Sequence, residues 1–326
     1  MHTLSGSRFV AVSTNPAIDR IARLEGPPTG VVPASELLET PGGKAIHAAC
    51  VAAELGAEAV VVTTAGGKSG DALLALLAAE PVDVDHVPVT GATRGTYTLV
   101  AAEGGELVEV HEPSGSLTEE ECDRLVAALR GIGNPRAVAV CGSLPSGAPI
   151  DLHARLIATA RELGAFTILD CSHPGALATA VAEAPDLVAP NLVEAGVLLD
   201  AEVDPTASDA ELAAIADAIR SRGAAAAWLS LGAEGSMLAD AAGAIRITAP
   251  APERPINAVG CGDALIGGCA AGYVAGRELR SAAVLGAAAA SDKLAHLHPG
   301  RVDRGAVGAL EPAVKSAPVR TRAAVR

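Results

Sequence analysis

Hydrophobic residues along this chain occur in two repeating patterns. Short runs that are hydrophobic at nearly every position alternate with longer segments whose hydrophobic residues recur every three or four positions. The first pattern is typical of parallel strands buried on both faces, and the second of helices that cover them. Strands are predicted at residues 9–14, 60–64, 137–141, 167–170, 187–189 and 226–231, and helices at residues 45–55, 71–79, 119–129, 151–163 and 209–222. This alternation predicts an α/β fold with a doubly wound, mostly parallel sheet and helices on both faces.

Two of the predicted helices carry a clear start signal. Thr118 is followed three residues later by Glu121, and Ser208 by Glu211. In this spacing each side chain can accept a hydrogen bond from a backbone amide at the start of the helix. The two pairs therefore predict that helices begin directly after Thr118 and Ser208.

Two segments, residues 19–40 and 87–112, interrupt the alternation of strands and helices. Polar and hydrophobic residues alternate in the second segment, which is typical of strands with one face in solvent. Long surface loops are the alternative, but loops of this length without secondary structure are uncommon in compact domains. We therefore expect a small antiparallel β-sheet that forms a lid on an α/β domain made of residues 1–18, 41–86 and 113–311.

The last segment, residues 312–326, differs from the rest in composition. It contains Lys315, Arg320, Arg322 and Arg326 and shows little hydrophobic periodicity. A segment of this kind buries too little apolar surface to offset the entropy lost on ordering. We expect a disordered tail.

Composition and charge limit the possible cores and partners. Half of the residues, 50%, are hydrophobic but only 2% are aromatic, so the core must be built mainly from Ala, Val, Leu and Ile. The net charge of -14 argues against a general nucleic-acid binder, which needs a basic surface to displace counterions from phosphate. Any recognition of phosphate must therefore be local.

The sequence also bears on location and on cysteine chemistry. No uninterrupted hydrophobic run approaches the ~20 residues that cross a bilayer, and residues 1–8 lack the hydrophobic segment of a secretion signal. We expect a cytoplasmic protein that binds neither membrane nor nucleic acid.

The cysteines show no C-x-x-C pair and no zinc-ligand spacing; they are Cys50, Cys122, Cys141, Cys171, Cys261 and Cys269. This predicts reduced, mostly buried thiols rather than a disulfide or zinc site.

Residues 257–275 combine a glycine turn with the start of a helix of small residues. Gly260 and Gly262 flank Cys261, and Asp263 follows directly. Glycines let backbone amides turn toward an anion, and a helix N-terminus adds its dipole, so the turn favours a phosphoryl group. A carboxylate at this point is useful if it takes the proton from an attacking hydroxyl while the amides neutralise the developing charge. The alternative is that Asp263 only caps a tightly packed helix.

A second glycine turn precedes the predicted helix 45–55. Gly43 and Lys44 in this turn could hold the hydroxyls of a sugar or an anionic substituent, and the alternative is a tight turn with a solvated lysine. Asp19, just after the first predicted strand, could accept hydrogen bonds from sugar hydroxyls, although a lone aspartate there is more often a turn or cap residue.

Two further motifs follow predicted strands. Asn191 and Glu194 come after strand 187–189, at the edge of the sheet where ligands of such folds bind. An amide and a carboxylate three residues apart could hold the water shell of a magnesium ion, and a capping box is an alternative compatible with that role. Ser230 lies at the end of strand 226–231, and Gly232 and Gly235 follow it. These residues fit close approach to a nucleotide, with a β-hairpin as the alternative.

The order of these motifs resembles the ribokinase-like, phosphofructokinase-B type carbohydrate kinases, especially the branch of 1-phosphofructokinase and tagatose-6-phosphate kinase. The matching residues are Thr14-Asn15-Pro16-Ala17 with Asp19, Gly42-Gly43-Lys44, Thr93-Arg94, Gly142-Ser143-Leu144-Pro145, Asp170, Pro190-Asn191 with Glu194, Ser230-Leu231-Gly232, and Gly260 with Gly262-Asp263. The resemblance implies a ribokinase-like domain, a β-sheet lid that also makes a homodimer contact, and phosphoryl transfer from MgATP to a sugar hydroxyl.

The resemblance also implies roles for individual residues. Asp263 would be the catalytic base, and Gly260, Cys261 and Gly262 would form the anion hole with it. The sugar would contact Asp19, Gly43, Lys44, His47 and Ser143, and Arg94 would bind a phosphate already on the sugar. The nucleotide would contact Asn191, Ser230, Gly232 and Gly235, and Glu194 with Asn191 would hold Mg²⁺ through water. Lys44 and Arg94 would converge near one substrate phosphate.

Departures from the family pattern concentrate around the sugar. His47 and Thr96 stand where the family usually has asparagines, Ala189 where it has a lysine, and Ala258 where it has a threonine. The expected reaction is transfer of the γ-phosphoryl group of ATP to a phosphosugar, with fructose 1-phosphate giving fructose 1,6-bisphosphate. Open alternatives are a tagatose-6-phosphate or 6-phosphofructokinase, a kinase for an unphosphorylated sugar or nucleoside, and a non-catalytic sugar or nucleotide sensor on the same fold.

Overall fold

The computed structural model describes residues 8–101 and 107–319 of the chain. Within these residues the strands are β1 (Arg8–Ser13), β2 (Ala17–Leu24), β3 (Ala34–Gly42), β4 (Glu58–Ala65), β5 (Asp83–Pro88), β6 (Arg94–Ala101), β7 (Leu107–His111), β8 (Ala137–Gly142), β9 (Phe166–Cys171), β10 (Leu187–Val188), β11 (Ala226–Ser230), β12 (Ser236–Asp240), β13 (Gly243–Thr248) and β14 (Lys315–Val319). The helices are α1 (Lys44–Glu54), α2 (Gly67–Leu77), α3 (Glu119–Gly131), α4 (Leu152–Glu162), α5 (Pro174–Ala182), α6 (Leu192–Leu199), α7 (Asp209–Arg220), α8 (Cys261–Val274), α9 (Leu279–Lys293) and α10 (Arg304–Leu310).

The larger sheet has the strand order β14-β13-β12-β11-β10-β9-β8-β1-β4-β5. Its strands from β11 to β5 in that order run parallel. Alternate residues of β1 enter opposite cores, since Val10 and Val12 belong to one hydrophobic cluster and Phe9 and Ala11 to another. Both faces are covered, so every residue of β1 after Arg8 is buried. The predicted doubly wound, mostly parallel α/β fold is confirmed.

The other edge of this sheet is antiparallel. The β11–β12 hairpin is followed by β13, and β14 pairs antiparallel with β13. The prediction of a disordered tail is therefore wrong for residues 312–319, because Glu311–Ala313 form a 3-10 turn and Lys315–Val319 pair along β13. The side chains of β14 are mostly exposed, so its backbone hydrogen bonds, rather than a hydrophobic pattern, hold it in place. The remainder of the predicted tail, residues 320–326, lies outside the described residues.

The two segments that interrupt the alternation form a separate sheet with the strand order β3-β2-β6-β7. The pairs β2–β3 and β6–β7 are antiparallel as expected, but β2 and β6 run parallel. The prediction of a wholly antiparallel lid is wrong at that pair, because the connection from β3 to β6 first passes through the larger sheet. Within the described residues both segments form strands, so the alternative of long surface loops is wrong.

Local signals at helix starts match the structure. Thr118 and Ser208 are N-cap residues. The side chain of each accepts a hydrogen bond from the amide of Glu121 or Glu211, and the carboxylate of that glutamate accepts one from the amide of the N-cap residue.

The cysteines are free thiols, and Cys261 is the one that is not buried. Among the described residues, the helices are all too short or too polar to cross a bilayer.

Candidate active site

A cleft of about 370 Å³ is bounded by strands of the lid and by loops at the carboxyl ends of the larger sheet. The predicted site residues that line it are Asp19, Gly43, Lys44, His47, Arg94, Asn191, Glu194, Ser230, Gly260, Gly262 and Asp263. The carboxyl ends of parallel strands share one edge of a sheet, so motifs that follow different strands meet there. The structure thus brings together most of the residues to which the sequence analysis assigned binding or catalysis.

The anion-hole turn is the start of helix α8. Gly260 is its N-cap residue with φ +87°, a left-handed conformation, and a Cβ at this position would lie 2.4 Å from the carbonyl oxygen of Pro299. Both facts require glycine. The amide of Cys261 donates to the carbonyl oxygen of Ala258 at 3.2 Å. The amides of Gly262 and Asp263 lie in the same first turn of α8, where helix geometry supplies no acceptor. With the helix dipole they make this end of the cleft suited to an anion.

Asp263 is the third residue of α8 rather than its cap. The N-cap position belongs to Gly260, and no side chain caps the helix there. The alternative interpretation of Asp263 as a simple helix cap is therefore wrong. Its side chain is buried, lines the cleft and places Oδ2 2.8 Å from Nδ1 of His47.

His47 lies on α1 between two carboxylates. Its Nδ1 pairs with Asp263, and its Nε2 lies 2.9 Å from Oδ2 of Asp19, a charge contact whose angle departs from that of a hydrogen bond. Oδ1 of Asp19 in turn accepts a hydrogen bond from Oγ1 of Thr96 at 2.5 Å. Burial alone would lower the pKa of His47, but the two carboxylates outweigh it and raise the pKa to about 10. Burial alone would raise the pKa of Asp19, yet His47, Thr96 and the charge of Arg94 lower it.

Lys44, the first residue of α1, is held by carboxylates on the opposite wall. Its Nζ donates to Oδ1 of Asp170 at 2.8 Å and lies 3.7 Å from Oε1 of Glu194. Burial raises the pKa of Asp170 to about 6, against the charge of Lys44. From the family resemblance, Lys44 and Arg94 were expected to converge near one substrate phosphate. In the structure Lys44 is already neutralised by Asp170 and Glu194, which leaves Arg94 as the better candidate for that phosphate.

Arg94 begins β6 and projects into the same cleft. Burial lowers the pKa of its guanidinium, and the charges of Asp19 and Glu112 oppose this shift. Among the described residues, its buried Nε has no hydrogen-bond partner. A buried donor without a partner costs free energy, so an anionic ligand at this position would satisfy it.

Asn191 and Glu194 form a reciprocal capping box at the start of α6. Oδ1 of Asn191 accepts from the amide of Glu194, and Oε2 of Glu194 accepts from the amide of Asn191, both at 2.9 Å. The alternative interpretation is thus correct, while Oε1 of Glu194 still faces Lys44. A backbone bridge to Ser230 places the end of β11 beside Asn191.

Four predicted residues are not among the residues that line the cleft: Cys261, Ser143, Gly232 and Gly235. Burial raises the pKa of the Cys261 thiol to about 11, so the thiol is neutral at physiological pH. Oγ of Ser143 accepts a hydrogen bond from the side chain of Asn15 at 2.8 Å. Gly232 and Gly235 belong to the β11–β12 turn, so the hairpin alternative is correct for them.

Several other residues of the cleft were given no role from the sequence. Asp170 was named among the residues that match the family; it is the penultimate residue of β9, and its position near a strand end was the available signal. Thr98 on β6 and Glu109 and His111 on β7 also line the cleft. They follow the period-two spacing of one strand face, with Thr96 and Thr98 two residues apart, and so could have been found once the strand was known to cover the site.

Lys293 was missed because nothing near it in the sequence suggests a site. It ends α9, is fully buried, and donates to the carbonyl oxygens of Asn257 at 2.7 Å and His296 at 3.1 Å. Burial lowers the pKa of its ammonium group to about 8. Through Asn257, whose Oδ1 accepts from the amide of Val259, Lys293 supports the loop that leads into α8.

Comparison with known proteins identifies the family to which this chain belongs. Residues 9–298 match the sequence profile described as pfkB family carbohydrate kinase. The chain belongs to the pfkB family of carbohydrate kinases. The resemblance seen in the ordered motifs and the expectation of an ATP-dependent sugar kinase are confirmed.

Individual relatives of this pfkB family kinase cover most of its length. The chain is 31% identical over 298 residues to a 1-phosphofructokinase of Rhodobacter capsulatus. The matched region covers 90% of this chain and 92% of the relative. It is 30% identical over 227 residues to the ATP-dependent 6-phosphofructokinase isozyme 2 of Escherichia coli strain K12, over 70% and 72% of the two chains. The tetrameric inhibited form of phosphofructokinase-2 from Escherichia coli superposes with a TM-score of 0.83 at 26% identity, over 94% and 98% of the two chains.

Proposed function

We propose that this kinase transfers the γ-phosphoryl group of ATP to a hydroxyl of a phosphosugar, with fructose 1-phosphate as the acceptor. The observation that carries the proposal is that the Asp263 carboxylate and the first-turn amides of α8 border one cleft. A carboxylate beside an anion site repels phosphate and gains little for binding alone. It is useful when a proton must leave an attacking hydroxyl.

In the proposed mechanism Asp263 accepts a hydrogen bond from the acceptor hydroxyl and removes its proton as the new O–P bond forms. The bond between the γ-phosphorus and the bridging oxygen of ADP breaks in the same step. The amides of Gly262 and Asp263 face the oxygens of the transferring group and neutralise their charge. Because the transition state is loose, positioning and charge neutralisation supply most of the rate.

The proposed acceptor follows from Arg94 and from the relatives. The buried Nε of Arg94 offers a donor to a phosphate already on the sugar. The name of the Rhodobacter capsulatus relative supports fructose 1-phosphate, while the name of the Escherichia coli relative keeps fructose 6-phosphate as a second candidate. We propose fructose 1-phosphate first because that relative matches more of the chain.

Magnesium is the proposed metal of the nucleotide. Over residues 8–101 and 107–319, no group of three or more His, Cys, Asp or Glu side chains could enclose a metal ion. A site in which phosphate and water supply most ligands, with Glu194, Asn191 and Asp170 holding that water, fits this donor set. When bound, the ion would supply positive charge to the phosphate oxygens.

The lid is the proposed dimer contact. Leu37 of β3 and Val110 of β7 are large hydrophobic side chains exposed by 74% and 53% on the lid strands. Exposed apolar side chains on one small sheet favour association with another surface.

We further propose a cytoplasmic location, where ATP and phosphosugars are available.

The test is an assay of ADP release with MgATP and a panel of sugars and sugar phosphates. We expect turnover of fructose 1-phosphate to exceed that of fructose 6-phosphate, tagatose 6-phosphate and unphosphorylated sugars or nucleosides. Preference for one of the others would replace the proposed acceptor. Binding of ATP and sugar phosphate without turnover would favour a sensor.

The base is tested by Asp263→Asn, with Asp71→Asn at an exposed position on α2 as the matched control. Loss of a general base lowers turnover by about 10²–10⁴-fold. We expect that loss for Asp263→Asn, with ATP binding retained in calorimetry, and no change for the control. Unchanged turnover in Asp263→Asn would remove this carboxylate from the mechanism.

A further inference from the structure

His47 connects three elements of the cleft that are far apart in the sequence. It lies on α1, its Nδ1 is 2.8 Å from Oδ2 of Asp263 on α8, and its Nε2 is 2.9 Å from Oδ2 of Asp19 on β2. Its own side chain is 5% exposed, and those of Asp19 and Asp263 are 9% and 10% exposed. The imidazole therefore has almost no contact with solvent and faces a carboxylate on each side.

Backbone packing sets this arrangement. Helix α8 approaches α1 so closely that a Cβ at Gly267 would lie 2.4 Å from the carbonyl oxygen of Ala48, the neighbour of His47. Asp263 lies one turn of helix before Gly267, so the same approach presents its carboxylate to His47. The pair is therefore fixed by the contact of two helices rather than by flexible side chains meeting in solvent.

The charges around His47 favour its protonated form. Its neighbours are Asp263 on α8 and Asp19 on β2. The charged or titratable groups near these two carboxylates are Arg94 on β6, Cys141 on β8, Cys261 on α8, Lys44 on α1 with its partners Asp170 and Glu194, and Lys293 on α9. Among the residues that the structure describes, Asp19 and Asp263 are the charged groups in direct contact with the imidazole nitrogens. Two buried carboxylates without a cation between them would repel each other, which is costly in a low-dielectric interior. A neutral imidazole would provide no positive charge between the two carboxylates.

We propose that His47 is a positioning residue for the catalytic base: as an imidazolium it donates Nδ1–H to Oδ2 of Asp263 and ties this carboxylate to Asp19. This fixes Asp263 so that Oδ1 is the oxygen left for the acceptor hydroxyl. It also places a positive charge between the carboxylates of Asp263 and Asp19. The inference rests on the proposed role of Asp263 as the base. It gives His47 a different role from the sugar contact expected from the sequence.

The protonation state can be measured without substrate. In wild-type protein, two-dimensional NMR of the ¹⁵N-labelled imidazoles should show His47 protonated at both nitrogens from pH 6 to pH 9. Asp263→Asn and Asp19→Asn should each lower the pH at which His47 loses its proton. An imidazole of His47 that titrates near pH 6.5 in the wild type would overturn the proposal whatever the enzyme phosphorylates.

The consequence for catalysis is tested by His47→Asn, with His86→Asn at an exposed position on β5 as the matched control. A cation within ~4–6 Å lowers the pKa of a carboxyl by about 1–3 units. The acid limb of kcat against pH should therefore move to higher pH in His47→Asn and stay in place in His86→Asn.

A purely structural or sugar-binding role predicts a different result. Lower activity at every pH with an unshifted acid limb, or a rise in KM alone, would overturn the proposal. Absence of turnover in the wild type would contradict the proposed function, and the NMR titration would still decide whether His47 is the cation between Asp19 and Asp263. If His47→Asn does not fold, the titrations of the wild type and the two aspartate variants decide it as well.

Discussion

The buried ammonium group of Lys293 should give the stability of this protein a specific pH dependence. Its Nζ is enclosed by the carbonyl oxygens of Asn257 and His296, with no carboxylate in contact among the described residues. Burial lowers its pKa from 10.5 to about 8. At 1.36 kcal/mol per pKa unit, the folded protein holds this proton about 3 kcal/mol less tightly than the unfolded chain does.

The sign follows from which state binds the proton more readily. Between about pH 8 and pH 10.5 the unfolded chain still protonates this lysine while the folded protein releases the proton, so the lysine becomes less destabilising as pH rises. Below about pH 8 both states are protonated, and the full cost of burying the charge is present. The contribution of Lys293 to stability should therefore improve by about 3 kcal/mol across this window.

The perturbation is Lys293→Met, which keeps the length of the side chain and removes the titration. At neutral pH the loss of two carbonyl partners costs ~1–3 kcal/mol each, and removal of a buried charge offsets part of it. The informative quantity is the free energy of unfolding of the wild type minus that of the variant, from urea titrations at pH 7.5, 9.0 and 10.5. Groups common to both proteins, including His47, cancel in this difference.

The expected difference rises with pH by about 3 kcal/mol in favour of the wild type. The control is Lys68→Met on α2, because Lys68 is exposed and its difference should not change with pH. A Lys293→Met difference that stays flat within ~0.5 kcal/mol or falls with pH would refute the reasoning, since it would mean that Lys293 is not buried as an ammonium.

Three other predictions concern the anion hole, the acceptor phosphate and the C-terminal strand. Gly260→Ala must adopt φ +87° and place its Cβ against Pro299, so urea titration should show a loss of about 2–4 kcal/mol and turnover should fall; a loss below ~0.5 kcal/mol would contradict the geometry. Arg94→Met should raise KM for fructose 1-phosphate at least tenfold and leave an unphosphorylated sugar unaffected, whereas equal effects on both would exclude a phosphate contact. Truncation after Val314 removes β14 and exposes β13, so the urea midpoint should fall and light scattering should detect association; an unchanged midpoint would show that the strand adds no stability.

Most of the fold could be predicted from local patterns. Strands such as β1 are hydrophobic at consecutive positions, here from Phe9 to Val12, because both faces are buried, and this shows in the sequence. The capping pairs at Thr118 and Ser208 mark helix starts because their bonds join residues three apart. Strand β14 could not be predicted this way, since its exposed side chains leave no hydrophobic pattern and its stability comes from pairing with a strand far away in the chain.

In the candidate site, too, some features could be predicted from the sequence and others could not. The sequence by itself predicted that the Asn191 motif lies at the carboxyl edge of the sheet, because this motif directly follows a predicted strand. The turn before Asp263 was recognised from its glycines and from the order of the family motifs. Only the tertiary structure decided what these side chains touch. Lys44 is paired with Asp170, and His47 lies between Asp19 and Asp263, because helix α8 packs on α1 and the lid brings β2 beside them. The pairs Lys44–Asp170 and His47–Asp263 join residues more than a hundred positions apart, and Asp19 and His47 lie on different elements, so no local pattern encodes the distances between them.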